Sequence, residues 1–455
     1  MTTSTQTASP MTRKRYKVGF AIGFAFFVAY FDRTNVSVLI ANQGFTHDLG
    51  ISDSKFKQGL LLTGFLFPYG LCNFITGPLG DRVGGRRGVV ISIIAWTVLM
   101  CVMGLVSSFA VMLALRVLLG LGESIMTPAC NMIVAEWFPD RERSRANSAW
   151  LAGLFLAPAV SFPIIIVVVN AFGWRASFFV LAAVGLFVAL PLMLRWTSDR
   201  PEDVASVSRA ELRHIREGQV RTEEPSGSLA SIRKLFSNYR YWLCVFAYTG
   251  YGLGFWGIAT FLPSYFEHAH HVNFTKSGLF AIAPWLAATV LTILGGLLGD
   301  RKPTRRVLLW SGGYLGAAVL SYLGVTTGTI GLSVVLISVA IGLLAFTLPP
   351  MWAVVQELSP RGLTGMGTGV VNGFSYIAAA FGPALVGALV DRTGSYDLGF
   401  YLLAGFLVIT ALALAPLWRG HLKTAPPNRT QQGGLDAGRT ESADQTTRQT
   451  EVPRS

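Results

Sequence analysis

The stretches "GPLGDRVGGRR" (Gly77–Arg87) and "GLLGDRKPTRR" (Gly296–Arg306) carry one pattern twice. In each, a glycine is followed four residues later by Asp-Arg, and two arginines begin five residues after the Asp. Each copy closes an apolar run. Such runs of roughly 20 residues recur along the chain, at about 17–41, 56–79, 88–107, 109–135, 146–170, 174–195, 240–266, 277–299, 307–326, 330–352, 366–390 and 397–418. A helix needs about 20 apolar residues to cross the hydrocarbon core of a bilayer. The twelve runs therefore predict an all-α polytopic membrane protein, and the two copies close the second run of each set of six.

Composition agrees. Of the 455 residues 52% are hydrophobic and only 13% charged, against about a quarter charged in a soluble domain. A soluble enzyme with one large core is excluded. The net charge of +13 does not call for nucleic acid, because it is distributed by topology. Arg13, Lys14, Arg15 and Lys17 precede run 1, Arg82, Arg86 and Arg87 follow run 2, Arg141, Arg143 and Arg145 follow run 4, and Arg301, Lys302, Arg305 and Arg306 follow run 8. On the other side the basic residues are few: Lys55, Lys57, Arg175, Lys276 and Arg392. This is the positive-inside bias, and it predicts both termini in the cytoplasm. The first apolar run is too long for a signal-peptide core and reads as an uncleaved anchor.

The domain reading is a cytoplasmic segment 1–16, a six-helix bundle 17–195, a cytoplasmic linker 196–239, a second bundle 240–418 and a disordered tail 419–455. The linker is expected to hold one short amphipathic helix ("RAELRHIREG"). The "NRT" at Asn428 matches a glycosylation acceptor but lies in the cytoplasmic tail. Cys72, Cys101, Cys130 and Cys244 fall inside apolar runs without metal-ligand spacing, so no metal is expected, and no cofactor.

Duplicated six-helix units are a signature of secondary transporters. The Gly77, Asp81, Arg82, Gly84, Arg86, Arg87 pattern resembles the loop 2–3 motif of the major facilitator superfamily, with a weaker copy at Asp300 to Arg306. The resemblance implies two pseudo-symmetric six-helix bundles rocking around a central cavity. Asp81 adds nothing to topology. A carboxylate at a helix end can instead pair with a basic group or the N-terminus of a neighbouring helix, in one conformation and not the other. Asp81, Arg82, Arg86, Arg87, Asp300 and Arg301 are thus the candidate gating residues.

Few ionisable residues lie inside the runs. Asp32 and Arg33 sit in "FFVAYFDRTNVSVLI" (Phe26–Ile40), and Arg116 and Glu123 in run 4. Intramembrane charges are functional-site candidates by default, the alternative being ion pairs that merely hold two helices together. Arg116 and Glu123 are two turns apart, about 10 Å along one face. The expected ladder has Asp32, Arg33 and Arg116 toward the outside and Glu123 toward the cytoplasm. A buried acid can load a proton on one side and release it on the other. An arginine cannot release its proton, and offers a planar fork to an oxyanion. Asp32 and Glu123 are assigned to proton coupling, Arg33 to the anion, and Arg116 as partner to both acids.

With "YFDRTNVSV", "RVLLGLGES", "GWR" (Gly173–Arg175), "FLPSYF" and Asn372, the chain resembles the anion:cation symporter family. That family implies proton-coupled uptake of organic anions across a bacterial inner membrane, with acids matching Asp32 and Glu123. Positions matching Arg33, Tyr69, Arg116, Trp352 and Asn372 would line the site. This sequence departs from sugar-acid members: run 2 has Ile75 near the site level, run 5 has no Gln, and run 10 reads "LPPMW". Tyr248, Tyr251, Phe255 and Trp256 add aromatic surface, facing either inward or toward lipid. The expected substrate is a small organic anion, a carboxylate such as a sugar acid, dicarboxylate or aromatic carboxylate, or else a sulfonate, and the less polar cavity favours one with few hydroxyls. An antiporter or facilitator of the same fold remains open, as does a membrane sensor, although linker and tail are too short for an output domain. The chain is not expected to be an enzyme. Its partners are the anion, protons and the bilayer, and it is expected to act as a monomer. The "EHAHHV" segment reads as a solvated loop, and the glycines of "GLG" and "GMGTG" as helix packing.

Overall fold

The computed structural model describes residues 11–40, 42–217, 228–270, 280, 282–360, 362–393 and 397–418. Twelve long helices run through them. The first half holds α1 (Lys14–Leu39), α2 (Lys55–Val83), α3 (Gly85–Met103), α4 (Phe109–Trp137), α5 (Arg143–Phe172) and α6 (Trp174–Trp196). The second holds α7 (Tyr239–His270), α8 (Ala283–Arg301), α9 (Arg306–Thr326), α10 (Ile330–Leu358), α11 (Thr364–Thr393) and α12 (Asp397–Ala413). Nine are long and apolar enough to cross a membrane on composition alone. Among the other three is α1, which carries Asp32 and Arg33.

The two halves repeat one packing scheme. In the first, α1 lies on α5 and α2 on α4; in the second, α7 lies on α11 and α8 on α10. Between halves, α2 meets α11 and α8 meets α5. The α2–α11 contact is close because glycines face each other: a Cβ on Gly77 would lie 2.5 Å from the Gly365 carbonyl oxygen, and one on Gly369 would lie 2.6 Å from that of Asn73. Small residues let backbones approach in this way. The glycines of "GLG" do the same inside the first half, where a Cβ on Gly120 would lie 2.5 Å from the Phe65 carbonyl oxygen.

Helix α4 is broken. Its first piece ends at Glu123 and the second begins at Met126. Pro128 explains the break, since its ring lacks an N–H and collides with the carbonyl four residues back. Ser124 bonds back to the Leu121 carbonyl at 2.7 Å, and Glu123 sits at the step.

The helix expected in "RAELRHIREG" is present at Arg209–Arg216, capped by Ser208. It is docked on the first half rather than hanging free. Buried Glu211 accepts hydrogen bonds from Thr12 and from the Lys14 and Arg15 backbone N–H groups. Arg15 also reaches Glu142 at 2.8 Å, and His214 lies 3.0 Å from Glu142. The acidic cluster thereby joins the start of α1 to the start of α5. At the opposite face Asp48 accepts from Trp174 at 3.1 Å and Arg175 at 2.6 Å, so "GWR" anchors the α1–α2 connection. The Arg175 hydrogen bond, first, and that of Trp174 hold the Asp48 carboxyl below its ordinary value.

One expectation is corrected here. Helix α7 continues to His270, so the "EHAH" of "EHAHHV" is the end of a helix and not a loop, because the apolar run carries its last turn past Glu267. His271 lies outside the described residues, as does the tail from 419.

Candidate functional site

The four intramembrane charges come together between α1 and α4. Asp32 lies 3.9 Å from Arg116. Arg33 lies 2.9 Å from Glu123 through Nη2, and its Nε donates to the same oxygen at 3.0 Å. Asp32, Glu123 and Arg116 are buried, and the Arg33 side chain is 9% exposed. The expected division of partners is revised. Glu123 is held by Arg33, and Arg116 is aimed at Asp32. The reason is direction: Arg33 is long enough to reach along α4 to the step after Glu123, while Arg116 is tied at the back by its Nε–H bond to the Leu61 carbonyl at 3.0 Å.

Asp32 is the loosest member. The 3.9 Å separation exceeds hydrogen-bond range. Both of its oxygens, Glu123 Oε1 and Arg116 Nη1 lack a hydrogen-bond partner among the described residues. A buried polar atom left without a partner costs about 1–3 kcal/mol, so this cluster is primed to accept one.

Arg33 is caged by rings. Its guanidinium carbon lies 4.4 Å from the centroid of Tyr30, 4.8 Å from Phe65, 4.5 Å from Tyr69 and 5.9 Å from Tyr376. Cation–π contacts of this kind favour the charged head in a dry setting. Nη1 donates to the Tyr376 hydroxyl at 3.1 Å, and that hydroxyl lies 2.8 Å from the Tyr30 hydroxyl.

Tyr69 and Asn372 sit beside this cage. Asn372 donates to the Tyr69 hydroxyl at 3.4 Å and to Asn73 Oδ1 at 3.0 Å. The Tyr69 hydroxyl lies 2.9 Å from Thr127 Oγ1. One reading of α2 is corrected. Ile75 is 67% exposed and belongs to the lipid-facing side. The inward polar residue of α2 is Asn73, one turn beyond Tyr69 on the same face. That helical spacing was the signal available in the sequence.

Trp352 lies in the second half, behind Pro349 and Pro350. It packs edge-on against Tyr248 at 5.1 Å and tilts against Trp150 at 6.3 Å. Tyr248, Tyr251 and Phe255 form a stacked row along α7 with centroids 5.2 Å apart at each step. All three are buried, so this aromatic surface faces inward. Phe255 meets Phe155 of the first half at 5.8 Å. The site thus has a charged wall in one half and an aromatic wall in the other.

Further toward the basic face the halves are clasped. Asp81 accepts from the Gly365 and Met366 backbone N–H groups at 2.6 and 2.7 Å, at the start of α11. Asp300 accepts from the Ser144 and Arg145 N–H groups, both at 2.9 Å, at the start of α5. The two copies of the repeated motif therefore do one job: each carboxylate caps a helix N-terminus in the other half, where the orphan N–H groups and the macrodipole favour negative charge. Gln356 of α10 reaches Asn131 at 2.7 Å and Asn147 at 3.1 Å. Arg82, Arg87 and Arg301 are exposed. The Arg86 backbone N–H donates to Asp199 at 2.7 Å, within its own half. The buried guanidinium at the Asp300 clasp is Arg306, which bonds Asp300, Glu357 and the Asp140 carbonyl. The candidate gating residues read from the sequence include Arg301 and not Arg306.

The family model described as "Major Facilitator Superfamily" matches residues 22–383. A protein of Cupriavidus necator described as a probable sulfoacetate transporter is 30% identical over 85% of this chain and 90% of its own length. The hexuronate transporter of Bacillus subtilis is 25% identical over 85% of this chain and 90% of its own. Among solved structures, a major facilitator transporter, FucP, in its outward conformation superposes with a TM-score of 0.69 at 13% identity, covering 88% of this chain and 99% of that one.

Proposed function

The chain belongs to the major facilitator superfamily and is an integral multi-pass membrane transporter, not an enzyme, and from that premise we propose that it takes up a small organic anion together with protons. The basic face is then cytoplasmic, by the positive-inside rule. The inter-half clasps at Asp81 and Asp300 form the cytoplasmic gate, with the site closed to the inside in the conformation described above.

One observation carries the reading: Arg33 shares a buried site with Glu123 and has its Nη1 side turned toward the second half. An anion reaching Arg33 places a second negative charge beside the Glu123 carboxylate in a medium where like charges are poorly screened. Protonating Glu123 or Asp32 removes that repulsion. Anion binding and proton uptake therefore favour each other, which is what symport requires. Asp32, loosely held by Arg116, is the second proton site. Tyr69, Asn372 and Trp352 would complete the anion's surroundings.

The aromatic wall of Tyr248, Tyr251, Phe255 and Trp352 favours a compact anion with few hydroxyls, a carboxylate or a sulfonate. The similarity to a protein described as a probable sulfoacetate transporter supports the same class. The test is uptake into proteoliposomes with the outside acidic, using labelled sulfoacetate, glucuronate and benzoate. Accumulation above the outside concentration, abolished by a protonophore, is expected for at least one. Uptake that only equilibrates, indifferent to the pH gradient, would make the chain a facilitator and sink the proton assignment.

A further inference from the structure

We propose that Tyr376 of α11 is the second half's hold on Arg33, a built-in occupant of the guanidinium side that an arriving anion takes over. This rests on the reading of Arg33 as the anion contact. Among the described residues, Tyr376 is the one second-half side chain that bonds to any of the four intramembrane charges.

The geometry is specific. A guanidinium offers five N–H donors in a planar fork. Glu123 takes Nε and Nη2, and the Tyr376 hydroxyl takes Nη1. A carboxylate or sulfonate binds bidentately to a pair of such donors. With Glu123 in place, Nη1 is the donor that a neutral ligand holds. Both bonds are charge-assisted through the guanidinium, but an anion adds charge–charge attraction in a poorly screened site and can bind bidentately, so an anion can displace the phenol and a phenol cannot displace an anion.

The displacement would be felt by α11. Tyr376 packs its Cβ into the space at Gly70 of α2, where a Cβ would lie 3.1 Å from it. Its ring lies 4.5 Å from that of Tyr69. One turn earlier α11 presents Asn372 to Asn73, and at its start it presents Gly365 and Met366 to Asp81. Ten residues of rigid helix, about 15 Å, connect Tyr376 to the gate. Letting go of Arg33 therefore loosens the same α2–α11 seam that the gate closes. Tyr376 is a positioning residue: it acts on the anion through Arg33.

The test uses the full chain, purified and reconstituted, and Tyr376→Phe, which keeps the ring on Tyr69 and removes only the hydroxyl. With sulfoacetate and glucuronate as probes, the apparent Kd of whichever binds wild type should fall about 10-fold or more, the size of one hydrogen bond to a charged group. The maximal exchange rate should fall at the same time. General loosening would weaken binding as well as rate, so unchanged or weaker binding overturns the proposal. A second arm uses no anion: the melting midpoints of Arg33→Gln, Tyr376→Phe and the double variant. Adding Tyr376→Phe to Arg33→Gln should cost clearly less than adding it to wild type, because only the bond to the Tyr30 hydroxyl is then left to lose. Additive losses overturn the proposal whatever the anions do. If neither probe binds wild type, the anion reading itself fails, and the midpoints alone decide whether Arg33 and Tyr376 are coupled.

Discussion

Arg33 and Glu123, ninety positions apart in the chain, meet at 2.9 Å in the middle of the first half. The pair is buried, so its two members are not equivalent to remove. Breaking a buried pair from one side costs about 3–5 kcal/mol, because the remaining charge has no partner. Glu123→Gln leaves Arg33 with an amide acceptor and with Asp32 nearby, and should fold. It is expected to exchange anion across the membrane at near wild-type rates and to lose accumulation driven by a pH gradient. Counterflow and gradient-driven uptake, measured on one preparation, separate the two. Retained accumulation would show that Glu123 does not couple protons.

The two clasps between the halves make a symmetric prediction. Asp81 and Asp300 each cap a helix N-terminus across the inter-half seam. A charge in such a place contributes about 0.3–1 kcal/mol, up to about 2 when partly buried. Asp81→Asn and Asp300→Asn should each shift the population several-fold toward the state open at the basic face. Spin-label distances across the α2–α11 and α5–α8 seams would register the shift. Asp300→Asn should have the larger effect, since it also takes from the buried Arg306 guanidinium one of its two carboxylate partners.

The Asp48 anchor gives a pH prediction. Asp48 titrates below its ordinary value because of its bond to Arg175. A depressed carboxyl contributes stability above its unfolded value, and that contribution is lost as pH falls through the folded value. The pair is partly exposed, so its share is small, within about 1 kcal/mol. Wild type and Asp48→Asn should therefore differ slightly in melting midpoint at neutral pH and converge in acid below the usual carboxylate range. A gap that persists in acid would mean the bond to Trp174 carries the contribution.

Much of this was legible in one sequence because lipid imposes strong rules. Length and apolarity marked the twelve long helices, and a repeated Asp at a helix end marked the two clasps between the halves. Asp32, Arg33, Arg116 and Glu123 stood out since charge is rare there. What could not be read was who pairs with whom. Arg116 and Arg33 are both long, and only the Leu61 carbonyl behind Arg116 and the break after Glu123 decide between them. Asn73 and Tyr376 were hidden for a different reason. Tyrosine and asparagine are ordinary in such helices, and their importance comes from what faces them across the seam. Arg306 was overlooked because its reach back over Gly299 depends on the turn between α8 and α9.

Trp352 separates stability from function most cleanly. Its ring is buried between Trp150 and Tyr248, and its Nε1–H is buried with no hydrogen-bond partner among the described residues. An unsatisfied buried donor costs about 1–3 kcal/mol. Trp352→Phe removes that donor together with some packing area, and the two effects oppose each other. The variant should then melt within a few degrees of wild type. If the donor is there to meet an oxygen of the bound anion, the same variant should bind about tenfold more weakly, the loss expected for a hydrogen bond to a charged group. Trp352→Ala would lose both packing and binding and decides nothing. The diagnostic result is a Phe variant that keeps its melting midpoint and loses affinity; a Phe variant that keeps both assigns Trp352 to the core of the second half and moves the anion's second contact to Asn372.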